Sequence, residues 1–80
     1  MSPELLSILR CPETRQTLSV ADASLIHTLN QQIAAGEIRN RAGNLITEKI
    51  DSGLVRADQQ ALYPIRRNLP ILLVDESIAL

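Results

Sequence analysis

The sequence predicts an α+β fold: a small antiparallel sheet of three to four short strands, a short N-terminal helix and an inserted amphipathic helix. Three observations lead there. Leu25, Ile26, Leu29 and Ile33 recur at helical spacing. From Ala61 to Val74 the chain is mostly apolar and is interrupted at Arg66, Arg67 and Asn68, the pattern of two strands joined by a tight turn. The chain has 80 residues, close to the size at which a single core only just suffices. That core must be aliphatic, because thirteen leucines and nine isoleucines stand beside one tyrosine and no phenylalanine or tryptophan.

Taken in order, Ser2 suits a helix cap, Pro3 the first helical position and Glu4 the positive end of the helix dipole. Leu5, Leu6, Ile8 and Leu9 follow at helical spacing, and Pro12 ends the run by about Cys11. Thr17 to Val20 reads as a strand of minimal length. The second helix starts at Asp22 or Ser24, turns its leucines and isoleucines to one face and Asn30, Gln31 and Gln32 mainly to the other, and stops at Gly36. That apolar face fits the protein's own sheet or a partner.

Gly43-Asn44 and Asp51-Ser52-Gly53 are turn signals, so a loop with a brief extended piece near Leu45, Ile46 and Ile50 is expected between residues 37 and 53. Leu54 to Arg56 is the next strand, and Asp58-Gln59-Gln60 turns the chain into Ala61 to Ile65. Pro64 has no N–H, so its amide side must face an edge or a bulge. Asn68 tolerates a positive φ, and Leu69, placed before Pro70, opens the following strand. Alternation puts Leu69, Ile71 and Leu73 on one face and Pro70, Leu72 and Val74 on the other. Asp75 is expected to cap a last helical turn, Glu76 to Ala79, with Ile78 pointing to the core.

Composition excludes several classes. Cys11 is the only cysteine, so the chain forms no internal disulfide. No apolar run approaches the ~20 residues that span a bilayer. Met-Ser-Pro-Glu lacks the basic flank and apolar core of a secretion signal, so a cytoplasmic location is expected. The net charge of −1 is unevenly spread: residues 39–67 hold six basic side chains against three acidic ones. Arg39, Arg41, Arg56, Arg66 and Arg67 make that stretch a candidate nucleic-acid patch or simply a solvated face.

The parts of an enzyme are missing. No serine or cysteine nucleophile has a legible base beside it, and glycines 36, 43 and 53 are isolated rather than gathered into a phosphate loop. His27, without a second histidine or a cysteine at ligand spacing, is a poor metal candidate. The expectation is a non-catalytic chain without a cofactor.

Leu5-Leu6-Ser7-Ile8-Leu9-Arg10-Cys11-Pro12, together with Tyr63-Pro64-Ile65 and Leu69-Pro70-Ile71-Leu72-Leu73, resembles the opening and closing motifs of the Trm-one-twelve-like family. Those motifs cover about a third of the chain, with residues 21–53 as an insertion in a single domain spanning 1–80. The resemblance implies a zinc-ribbon-like protein that activates S-adenosylmethionine-dependent methyltransferases. It also implies two cysteine pairs that would hold zinc. Here the first pair is Cys11 and Thr14 and the second falls near Arg56 and Gln59, so no zinc is expected, with Cys11 packing as a small buried hydrophobe. Asn68 stands where the family has glycine, and both residues suit a left-handed turn.

The function expected is therefore a protein-interaction subunit that stabilises or activates a methyltransferase. Arg66, Arg67, Pro70, Leu72 and Val74 are the candidate contact residues; the alternative cover for the Pro70, Leu72 and Val74 face is the protein's own second helix. An RNA- or ribosome-contacting module using the basic stretch, or a self-associating structural protein, is the alternative function.

Overall fold

A computed structural model of the chain describes residues 9–80, so the expected helix from Ser2 lies, as far as residue 8, outside the described residues. Its expected continuation to Cys11 is not helical: Arg10 instead pairs with Thr17 in an isolated antiparallel bridge. The elements that follow are β1 (Leu18–Val20), α1 (Ala23–Ala34), β2 (Ser52–Arg56), β3 (Ala61–Arg66), β4 (Leu69–Pro70) and β5 (Ile78–Ala79), with a 3-10 turn at Val74–Glu76 before β5. All pairings are antiparallel, in the order β1-β2-β3-β4, with β5 also on β3. The fold is α+β.

Helix α1 is defined by its ends. The Asp22 carboxylate accepts the Leu25 N–H at 2.8 Å and the Ser24 hydroxyl at 3.0 Å. The first bond satisfies a helix-end donor, and the two together hold the Asp22 carboxyl below its usual range. At the other end Gly36 takes φ +74°, while the N–H groups of Gly36 and Glu37 donate back to Ile33 and Gln32 in a Schellman closure. Ile26, Leu29 and Ile33 are the buried stripe, and His27 is exposed.

The sheet has apolar cover on both faces. On one side α1 packs with Ala21, Val55, Leu62, Ile78 and two loop residues, Ile46 and Ile50. On the other, Cys11, Leu18, Leu54, Tyr63 and Ile65 form a second cluster, with Leu9 and Leu72 against it. The register explains the split: Val55 sits opposite Leu62 on the helix side, and Leu54 opposite Tyr63 on the far side.

Several expectations need correction. β2 begins at Ser52, so Ser52-Gly53 is strand rather than turn. Gly53 is needed there because a Cβ would stand 2.8 Å from three side-chain carbons of the fully buried Leu62. Asn30 does not merely face outward: its side-chain amide bonds both the N–H and the C=O of Ile50, each at 2.9 Å, and clips the long loop to the helix. The last residues do not form a helical turn to Ala79, since Ile78 pairs with Leu62 as strand. Ile78 is nevertheless core, as its apolarity predicts.

Pro64 shows why one side of β3 is broken into two strands. Its C=O accepts the Ile71 N–H at 2.9 Å, so its ring nitrogen faces the same side, in the gap between β4 and β5. A continuous strand there would meet a missing donor.

Candidate functional site

Among the described residues the most exposed large apolar side chains lie on the β3–β4 hairpin and the segment after it, with Val20, Leu45 and Leu80 exposed elsewhere, and polar chemistry concentrates around Cys11. At the hairpin tip Arg67 and Asn68 take φ +52° and +62°. Positive φ at both central residues is the type I′ turn, whose twist matches that of the strands it joins. Asp51 secures the tip by accepting the Arg67 N–H at 2.7 Å. The Arg66 guanidinium folds back to donate to the carbonyls of Glu48 and Lys49 at 3.2 and 3.4 Å. Arg66 is therefore half-buried and partly structural, and Arg67 is exposed.

Alternation persists beyond the two residues of β4. Leu72 turns to the second cluster, beside Cys11 and Tyr63, so what covers it is that cluster, with α1 on the other side of the sheet. Pro70 is half-buried at the sheet edge, and Val74 is half-buried in the 3-10 turn. The opposite set is the open one: Leu69 is 68% and Leu73 62% exposed, with Ile71 half-buried between them. A shallow pocket of about 290 Å³ beside this strip is lined by Glu48, Arg66, Arg67, Leu69 and Ile71. Leu69 pairs with Arg66 on the same sheet side as Leu62, so the strip continues the face that α1 covers further along.

The edge of β4 is a poor template for another strand. Ile71 aims its N–H at β3, so Pro70 presents its amide side outward and has no N–H to offer. Side chains, not backbone pairing, are what this surface offers.

The five arginines of the middle stretch do not share one face. Arg39 donates to the Gly43 carbonyl within its own loop. Arg41 and Arg56 converge on the Glu13 carboxylate at 2.8 and 3.2 Å. Because β2 and β3 are antiparallel, Arg56 lies at the β2–β3 turn and Arg66 at the far end of β3.

Cys11 is 1% exposed and packs within the second apolar cluster, as a small buried hydrophobe would, but it also makes polar contacts. Its sulfur lies 2.9 Å from the Tyr63 hydroxyl. Burial pushes the thiol up, yet the Thr14 hydroxyl, Tyr63 and the backbone N–H groups of Thr14 and Glu13 outweigh it and bring the pKa down to about 7. Burial and the bond to sulfur push the Tyr63 phenol the other way, upward. Arg56 donates to Asp58 at 2.8 Å, has the Cys11 sulfur as a further neighbour, and is held more firmly protonated as a result. Glu13 is held below its usual range, chiefly by its bond from Arg41.

Thus the fold does bring Cys11, Thr14 and Arg56 together, positions where the resemblance implies metal ligands. The donor set does not fit zinc. It offers one sulfur, and a permanent cation already stands beside it. Among the described residues no three histidine, cysteine, aspartate or glutamate side chains gather as a metal would require. A further concavity of about 360 Å³, between β1, the start of α1 and Leu80, is open, and the Arg56 guanidinium on its wall is engaged with Glu13 and Asp58.

Sequence reasoning missed the Cys11–Tyr63 contact and the Asn30 clip, because each depends on a partner far along the chain. A usable signal for the first was that the single thiol and the single aromatic sit in the two family-like motifs.

No protein-family model matches the sequence, and no curated protein does. Among solved structures, the solution NMR structure of XF2673 from Xylella fastidiosa is similar at 30% identity with a TM-score of 0.77. The match covers 99% of this chain and 81% of that one.

Proposed function

We propose that this chain, which belongs to the same family as XF2673 of Xylella fastidiosa, is a non-catalytic interaction subunit that docks on and stabilises or activates an S-adenosylmethionine-dependent methyltransferase in the cytoplasm. The observation that carries the docking role is the strip Leu69, Ile71 and Leu73, whose outer leucines stand largely in solvent beside a cationic hairpin tip. Apolar side chains held on a rigid extended segment lose little entropy on binding, which favours their use as anchors. Arg66 and Arg67 form the rim, Pro70 and Val74 flank the strip, and Leu72 supports it from beneath. The methyltransferase as partner rests on the sequence resemblance. Among the described residues no helix is long and apolar enough to cross a membrane.

Affinity purification from the native source tests this. Recovery of a methyltransferase whose solubility or activity rises with this chain, and which is lost with Leu69→Glu/Leu73→Glu, supports it. Ribosomal RNA recovered in a steeply salt-dependent manner, with no methyltransferase, supports the nucleic-acid alternative. Failure of both, with a mass in solution of twice the 8.8 kDa chain, points to self-association.

A further inference from the structure

We infer that the guanidinium of Arg56 is the cation that cross-links this end of the molecule, in the place where the resemblance implies a zinc ion. Three segments remote in sequence meet there: the loop Cys11 to Gln16, the loop carrying Arg41, and the end of β2 with its turn. Glu13 accepts from both Arg41 and Arg56, partners 28 and 43 positions away, and Arg56 turns its Nε to Asp58. The two bonds to Glu13 join one loop to the other and to the sheet, which is the work of a structural metal ion, while the bond to Asp58, two positions away, orients the guanidinium for it.

The chemistry suits arginine better than zinc. A zinc site wants four ligands at about 2.0–2.3 Å, and Thr14 and Gln59 supply neither thiolate nor imidazole. A guanidinium has five fixed donors, stays charged at any physiological pH and is weakly hydrated, so it tolerates the buried end of β2. Lysine, with a compact ammonium, cannot span Asp58 and Glu13 in the same fork. The resulting cross-link should therefore resist chelators but yield to salt and to loss of the fork.

The experiment follows the Cys11 thiol, which the closed loop shields. Wild-type protein is unfolded in denaturant with and without EDTA, its zinc content is measured, and its reaction rate with a thiol reagent is followed at low and high salt. The expected result is no stoichiometric zinc, an EDTA-independent midpoint, and a thiol rate that rises with salt. Arg56→Met should raise that rate at low salt by about tenfold or more through local opening, with Arg56→Lys between the two. Should Arg56→Met fail to fold, Glu13→Gln removes only one partner and is expected to shift the rate in the same direction. One zinc per chain, whose removal unfolds the protein, would overturn the inference. So would thiol rates in Arg56→Met and Glu13→Gln equal to that of wild type.

Discussion

The sulfur of Cys11 and the hydroxyl of Tyr63, 52 positions apart in the chain, meet at 2.9 Å inside the second apolar cluster. Tyr63 is fully buried, and its phenol needs a partner there. The thiol provides one, and it gains a donor that favours its ionised form.

A pH dependence follows. The thiol pKa falls from an ordinary 9.0 to about 7 on folding, so the folded protein stabilises the thiolate. That contribution is fully present above the unfolded value and is lost as pH falls through about 7. The unfolding free energy read from denaturant titrations should therefore rise between about pH 7 and pH 9, by an amount on the order of 2 kcal/mol. Cys11→Ser should abolish the rise, and Tyr63→Phe should shrink it while costing about 1 kcal/mol for the lost bond. A midpoint that is flat with pH in the wild type would contradict the thiolate assignment.

Gly53 predicts a cost of crowding. A methyl group there would press on Leu62, which α1 and the sheet hold in place. Gly53→Ala should destabilise by about 1–3 kcal/mol, read from urea unfolding. Gly53→Ala/Leu62→Ala should not add the two single losses, because the smaller side chain relieves the clash.

Asn30 predicts a local effect. Its amide satisfies both polar groups of Ile50, a residue 2% exposed, in place of a strand partner. Asn30→Asp puts a carboxylate oxygen against the Ile50 carbonyl, so a loss of about 1–3 kcal/mol is expected. Hydrogen exchange at the Ile50 amide should accelerate more than exchange within β3.

What the sequence makes legible here is what local rules decide. The Asp22 cap, the Gly36 stop, the Ile26, Leu29 and Ile33 stripe and the turn at Asn68 each depend on neighbours within a few residues. Ser52-Gly53 looks like a turn because glycine after serine usually is one, and only the approach of Leu62 from another strand makes glycine a strand residue here. The contact face at Leu69 to Val74 illustrates the same limit. Alternation separates the two faces correctly, but which one is covered depends on the Cys11 loop, almost sixty residues away, and on how far α1 reaches.

That division of faces yields the sharpest test of the docking strip. Leu69 and Leu73 spend their side chains in solvent, so Leu69→Glu and Leu73→Glu should each change stability by no more than about 0.5 kcal/mol. Leu72, one position from Leu73, packs on the cluster of Cys11 and Tyr63, and Leu72→Ala should cost about 1–3 kcal/mol. Binding should show the reverse order. The exposed pair are anchors, and their replacement should weaken partner affinity by about 2 kcal/mol or more, while Leu72→Ala acts only through the support it gives the strip. Calorimetric titration against the recovered methyltransferase, paired with denaturant midpoints for the same variants, separates the two effects. An affinity that tracks stability across all three variants would mean that the strip is not the contact surface.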